Sequence, residues 1–363
     1  MHLFKKRIIL DSETIKDYNG KIVMTEIDGN MIWCVDYKNN YFPRLLAQFP
    51  NEKGRKRCFG DIVSASNKIF FIPFSAASLY CLDMDEDKWT CLIDFNGLTN
   101  RIYKTNCKFM SGHIYGEYLY LMPAAFPGIV KLNFETKQYF IIDKWIDEPE
   151  VKELNDGYFR KTLLRDGKIY APFCDTGKIL ILDLNTDKTT IENINNDNAG
   201  FSSVCIHSNR MYLSPRNPGK ITIVDLDTNN KTKIDKEICG NEVLTEWGER
   251  IVCSPSSKGN LFVLDEDNNV VEMLNVNGGS VSSVVSGDNL IVVLSNKGTV
   301  REYSYDMRLI YENRIYLDLK NQNDENRKVV DILLESYFGS SNNPIMEDTN
   351  FDLSNFMELI SII

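Results

Sequence analysis

Six residues have the chemistry to hold an anion: Lys104, Tyr158, Arg160, Lys161, Ser202 and Arg216. Arginine grips a carboxylate or phosphate through a two-pronged fork, lysine adds a point charge, and hydroxyls supply neutral donors. Together they predict an anion cradle. With a reacting substrate, Arg160, Lys161 and Tyr158 would become electrostatic or acid/base groups. Other chemistry is thinly represented. The three histidines are His2, His113 and His207. The last two are read as near-equivalent residues at the ends of two apolar segments, on a rim, without the third partner a metal or catalytic centre needs. There is no GxGxxG, Walker loop, GxSxG elbow or HExxH in the chain. Carboxylates at alternate positions, as in Asp83-x-Asp85-Glu86-Asp87 and Asp265-Glu266-Asp267, suit a hard cation but lack the glycine and closing glutamate of an EF-hand. Asp83, Asp183, Asp225 and Asp265 each close an apolar run. An aspartate there bonds the backbone two residues on, so a turn role is expected. Neither a metal nor a cofactor is predicted.

What must position the cradle is a repeat. An apolar strand, a polar turn, a strand ending in proline, a loop and a strand closing on Asp recur along the chain. The clearest copies are 67–83, 167–183, 209–225 and 249–265, with a looser copy at 118–133. Pro73, Pro123, Pro172, Pro215 and Pro255 fall roughly 40 to 50 residues apart, a period that holds strands and turns. One four-stranded blade cannot bury both its faces, whereas stacked blades cover one another. Strands covered on both faces read as continuous apolar runs, as Ile179 to Leu182 does. Turn chemistry appears where hairpins are required: Asp166-Gly167 and Gly287-Asp288-Asn289 in first hairpins, Asp187, Asn229-Asn230 and Asn268-Asn269 in last ones. The expected fold is all-β, a seven-bladed β-propeller over residues 1–317, with a short helical C-terminal extension. Blades are placed at 7–50, 57–97, 104–145, 156–195, 199–237, 241–277 and 280–317. Arg7 to Leu10 is read as the inner strand of the first blade, in preference to an outer strand completing the seventh.

The Ile-x-Ile-x-Asp-Leu-x-Thr wording at 179–186 and 221–228 resembles YVTN-type and streptogramin-lyase-like propellers. It departs from WD40 repeats, lacking their Gly-His and Trp-Asp pairs, and from kelch repeats, lacking the double glycine. The resemblance covers residues 7–317 and implies a fold. It carries no catalytic residue across, because the histidines of a lyase-like centre have no matching set here.

Composition narrows the setting. Nine cysteines, odd in number and without a CxxC pair, sit mostly in apolar runs and are read as buried thiols in a reducing compartment. No apolar stretch is long enough to span a bilayer, and Ile8 to Leu10 is too short for a signal peptide. A cytoplasmic protein is expected. The net charge of −10 argues against a nucleic-acid partner. Sorted by position in a blade, acids such as Asp85, Glu86 and Asp267 collect on the hairpin face. Bases such as Lys53, Arg57, Arg101, Lys258 and Lys297 collect on the opposite loop face. The leading reading is therefore a non-enzymatic binding or scaffold module, which takes a protein partner or an anionic ligand at the channel mouth of the loop face. The alternative is a lyase or hydrolase acting on an anionic or glycan substrate at the same place.

Residues 318–363 change grammar. A polar linker precedes Val330, Leu333, Leu334 and Tyr337, then Phe356, Leu359, Ile360 and Ile363, both at helical spacing. These amphipathic helices are expected to dock, either on the propeller or on a second copy as a homo-oligomer contact, since an exposed apolar stripe favours association. Truncation after Leu317 should reduce solubility or change the oligomeric mass measured by light scattering; unchanged values would show the tail to be dispensable in the isolated protein.

Overall fold

In the computed structural model the described residues are 2–4, 7–9, 12–26, 31–38, 44–49, 52, 57–96, 107–152, 157–195, 199–256, 259–276, 281–294 and 298–318. Seven four-stranded antiparallel sheets follow one another along the chain, each a meander in sequence order. The fold is an all-β, seven-bladed propeller. The C-terminal tail lies outside the described residues, as does Lys104. The chain divides into two compact units, 59–281 and the remainder.

The larger unit holds blades 2 to 6, at 59–94, 109–142, 163–193, 201–233 and 243–276. Apolar clusters sit between neighbouring blades. Phe70, Ile72 and Leu79 of blade 2 pack with Leu119, Leu121 and Val130 of blade 3. Tyr120 and Ile129 of blade 3 meet Ile169 and Leu180 of blade 4. Ile179 meets Val204 and Leu213, and Tyr212 meets Ile251 and Phe262. Each buried side chain of this kind contributes roughly 1.5 to 3 kcal/mol.

Backbone hydrogen bonds join the blades at the loop end. The five prolines stand where the second strand finishes, and three pair with the phenylalanine that opens the first strand: Phe59 with Pro73, Phe109 with Pro123 and Phe201 with Pro215. Proline is tolerated there because the ladder asks for no further N–H. Just at that point each blade accepts from the next. Lys108 N–H donates to Phe74 O at 2.7 Å, Tyr158 N–H to Ala124 O at 2.6 Å, Phe201 N–H to Phe173 O at 2.8 Å, and Asn241 N–H to Pro215 O at 2.9 Å. Gly200 makes this approach possible in blade 5, since a Cβ on it would stand 1.6 Å from Cys174 O.

At the opposite end the turns follow the expected chemistry. Asp166 and Gly167 both have positive φ, at 49° and 69°, and Asp187, Asn229 and Asn268 also adopt it. Asp183 Oδ1 accepts from the N–H groups of Asn185 and Thr186 at 3.0 Å, and Asp225 Oδ1 from Thr228 at 2.8 Å. Asn133 does the same in blade 3, toward Glu135 and Thr136. The threonine hydroxyls and these N–H groups hold the Asp183 and Asp225 carboxyls below their ordinary range. The acids at these positions are turn builders.

The smaller unit contains blade 1 (12–48) and most of blade 7 (281–314). Tyr37 and Tyr311 meet edge to face at 5.7 Å, and Lys38 Nζ reaches Glu302 Oε1 at 2.9 Å. Here the expected chain start is corrected. Ser12–Tyr18 is the first strand of blade 1, and blade 7 has four strands of its own. With no edge left to fill, Arg7–Ile9 pairs instead with His2–Phe4 and Tyr316–Asp318 in a separate three-stranded sheet.

Side chains add a second link between first strands in the larger unit. Ser203 Oγ, in blade 5, donates to Glu242 O at 2.7 Å and accepts from Leu244 N–H at 3.2 Å, both of blade 6. Ser203 is buried, so Ser203→Ala removes both bonds where water cannot replace them. The expected loss is about 1 to 3 kcal/mol, read from the denaturant midpoint at constant slope, whereas an exposed serine such as Ser208 should change it by less than about 0.5 kcal/mol when replaced by glycine.

Candidate anion-binding site

The site grows from one repeated position. The chain enters successive first strands as Phe59-Gly60-Asp61, Phe109-Met110-Ser111, Phe159-Arg160-Lys161 and Phe201-Ser202-Ser203. In blades 2, 3 and 5 a β-bulge follows the phenylalanine and turns the third residue toward the next blade. Asp61 Oδ2 accepts from Gly112 N–H at 3.2 Å. Ser111 Oγ donates to Arg160 O at 2.8 Å and accepts from Thr162 N–H at 3.3 Å, as Ser203 does toward blade 6.

Blade 4 departs from the pattern. Its first strand is shortened to Leu163–Arg165, and the residues before it are held from both sides. Ser111 fixes one side, while Lys161 N–H donates to Ser202 O at 3.0 Å on the other. Lysine occupies the place of the linking serine, so its side chain is released to reach back to blade 2. Lys161 Nζ lies 3.4 Å from Asp61 Oδ1 and 3.3 Å from Gly60 O. This ion pair is partly exposed and is worth about 1 kcal/mol or less.

Arg160 points the other way. Its guanidinium donates to Asn241 Oδ1 at 2.6 Å, and the Arg216 guanidinium donates to the same oxygen. Arg216 follows the end of the second strand of blade 5 and is anchored through its N–H on Gly200 O at 2.8 Å. Asn241 opens blade 6 from a tight turn in which Gly240 and Asn241 both have positive φ, at 84° and 66°. Glycine is required before it, because a Cβ on Gly240 would stand 2.6 Å from the Asn217 carbonyl carbon. Two cations bonded to one neutral oxygen lie within about 6 Å of each other. Their mutual repulsion is about 1 to 3 kcal/mol at effective dielectrics between water and a protein surface.

Of the six residues picked out in the sequence, the structure brings Arg160 and Arg216 together on Asn241 and turns Lys161 to Asp61. Tyr158 is buried with Trp145, Phe159 and Phe173, its ring 4.9 Å from Trp145, and serves the core. Ser202 is buried too, its Oγ 3.3 to 3.4 Å from the carbonyl oxygens of Ser214, Pro215 and Glu242. Asn241 and Asp61 were not singled out in the sequence. The recurring Phe-x-polar entry would have pointed to Asp61, but nothing local marks Asn241.

The histidines are not equivalent. His113 lies within Phe109–Tyr115 opposite Tyr120, whereas His207 is the last residue of its strand, opposite Arg210. The reading of both as strand-end rim residues is thus corrected for His113, because Ile114 and Tyr115 continue its strand before the turn, whereas His207 ends its own. His113 Nε2 lies 2.6 Å from Thr162 Oγ1. His207 sits between Glu246 and Glu249, and Arg165 reaches Glu246 from blade 4. Among the described residues no group of His, Cys, Asp and Glu could hold a metal ion, and no helix is long and apolar enough to cross a membrane.

No protein-family model and no curated protein sequence matches the chain. Solved structures do. A catalytically inactive histidine-to-alanine variant of virginiamycin B lyase from Staphylococcus aureus, with quinupristin, aligns at a TM-score of 0.62 and 10% identity over 81% of this chain and 94% of that one. A streptogramin B lyase gives 0.62 and 13% over 81% and 93%. BamB from Moraxella catarrhalis gives 0.53 and 13% over 85% and 89%. At such identities the likeness is one of fold.

Burial pushes the His113 imidazole down to about 4; nearby Asp61 opposes the drop and Lys161 adds to it. An unfolded histidine titrates near 6.5, so between about 6.5 and 4 the unfolded chain binds the extra proton. Stability is therefore lost as pH falls through that window, by up to about 3 kcal/mol, an upper bound because the ring keeps some contact with water. Denaturant midpoints at pH 7 and pH 4.5 should differ less in His113→Gln than in the parent protein. An equal difference would show that His113 is not the group responsible.

Proposed function

We propose that the chain is a non-enzymatic binding module, and that the loop face of blades 4 to 6 recognises a carboxylate-bearing segment of a protein partner. One observation carries this reading: Arg160 and Arg216, on different blades, converge on the single neutral oxygen of Asn241. Forked donors at a fixed spacing suit a planar two-oxygen anion. A rigid disc carrying independent loops suits recognition, since the scaffold stays fixed while the loops vary. The enzymatic alternative loses one of its acid/base candidates to the core, because Tyr158 packs under Trp145. Nine free thiols fit a reducing compartment, and a cytoplasmic setting belongs to the proposal.

The test is affinity for a glutamate-rich peptide, measured by calorimetry. Arg160→Ala with Arg216→Ala should weaken it by about 2 to 4 kcal/mol, taking each charge-assisted bond at about 1.5 to 3 and discounting for partial exposure. Lys161→Ala, whose ammonium already faces Asp61, should change it far less. Affinity should also fall with added salt. Binding that survives the double substitution would place recognition elsewhere.

A further inference from the structure

We infer that the outer strand of blade 3, Tyr139–Ile142, is a self-association edge, at which a second copy of this chain adds its own Tyr139–Ile142 antiparallel about a two-fold axis at Phe140. The inference does not depend on the anion-binding reading above. A strand at the rim of a sheet leaves a row of N–H and C=O groups open to pairing, and proteins blunt such edges with bulges or charged side chains. Six of the seven outer strands are blunted in this way. β-Bulges interrupt those of blades 1, 2, 6 and 7. The outer strand of blade 4 carries Lys188 and Glu192, and that of blade 5 carries Lys231 and Lys233. Blade 3 has neither device. Its outer strand reads Tyr-Phe-Ile-Ile and pairs with its inner neighbour without a break, from Tyr139 opposite Leu132 to Ile142 opposite Ile129. Phe140 is 61% exposed and Tyr139 39%. A groove of about 890 Å³, with Ile142, Trp145 and Ile191 in its lining, parts this strand from the outer strand of blade 4, so the next blade leaves the edge open.

The register follows from the backbone. Asn133 N–H donates to Gln138 O at 2.9 Å, which makes Gln138 a bonded partner of the inner strand. Bonding alternates along an antiparallel strand, so Phe140 and Ile142 also turn their backbone groups inward, while the N–H and C=O of Tyr139 and Ile141 point outward. Setting Tyr139 opposite Ile141 of the second copy satisfies every outward group on both strands. It also brings Phe140 against Phe140 of the second copy as a non-hydrogen-bonded pair, with Cα atoms about 4.5 Å apart and the rings in contact. The same register sets exposed Lys137 opposite exposed Asp143 of the second copy, and symmetry makes that pair twice. Sliding by two residues loses it, since Lys137 then meets Ile141, or Asp143 meets Tyr139. An uncharged strand with a cation before it and an anion after it is complementary to itself when reversed, which is why the occupant is a second copy.

Sedimentation velocity of the full chain over a range of concentrations tests this. The parent protein should pass from monomer to dimer as concentration rises. Amide exchange at Tyr139 and Ile141 should slow with it, while Phe140, bonded within its own blade, stays protected throughout. Phe140→Lys sets like charges against each other at the axis and should raise the dissociation constant by at least about tenfold. Tyr139→Pro removes an outward donor and should do the same without adding a charge. Lys137→Asp should weaken the dimer by about twofold to tenfold, and adding Asp143→Lys should recover it. A swap that fails to recover the dimer overturns this register. A parent protein monomeric at every concentration overturns the inference, as does a dimer indifferent to both Phe140→Lys and Tyr139→Pro, whose contact must then lie elsewhere. A parent protein that stays monomeric but protects the Tyr139 and Ile141 amides on addition of a valine–threonine repeat peptide offers its edge to other strands, and that too overturns the assignment to a second copy.

Discussion

The interaction on which blades 2 to 6 depend is a backbone hydrogen bond, given by the residue that opens each blade to the carbonyl that ends the second strand of the blade before it. Apolar packing between blades is larger in energy but tolerant in direction, because dispersion and burial fix no angle. The loop-end bond is directional. It sets how far one blade is rotated against the next, and it repeats at all four junctions of the larger unit. Tyr158 shows how tightly the two are joined, since its N–H bonds Ala124 O while its own carbonyl accepts from Cys174. A strand end is a natural place for such a bond, because the ladder there has carbonyls to spare and proline removes the competing donor.

The same constraint produces the site. Residues at the entry of a first strand must face the neighbouring blades, so whatever side chains stand there become inter-blade links. Where the residue is serine, the link closes on the next backbone. Where it is lysine or arginine, the chain is too long for that purpose and the charged head must travel to another blade. Arg160 and Lys161 leave one short segment in opposite directions, toward Asn241 and toward Asp61. The first meets a neutral oxygen and a second cation; the second meets a carboxylate.

Much of the fold was legible because its signals are local. Pro73 and its four counterparts, the Asp-Gly and Asn-Asn turns and the apolar runs each report on residues within a few positions of themselves. The N-terminal segment was misread for the same reason, since three residues, Arg7 to Ile9, hold too little pattern to show which edge they join. The site was half legible. Arg160 and Arg216 could be chosen by type and by place in the repeat, but their meeting depends on Asn241, 81 and 25 residues away. Tyr158 looked available because it stands at a strand entry, and it is the return of Trp145 after blade 3, together with Phe159 and Phe173, that buries it.

Repeat architecture also explains why the departures from the pattern carry the chemistry. A ring of identical blades would present identical entries, and its central polar groups would all be spent on joining neighbours. The buried serines at 111 and 203 illustrate that fully satisfied state. Replacing one of them by lysine, as in blade 4, costs a side-chain link, and here the loss is made up by the Lys161 N–H bond to Ser202 O. The substituted position then has side chains not required for closure. In a fold held by repeated bonds, binding residues must come from the positions where the repeat is broken and the break is compensated locally. Blade 4 meets both conditions, and its entry is the place from which Arg160 extends toward Arg216.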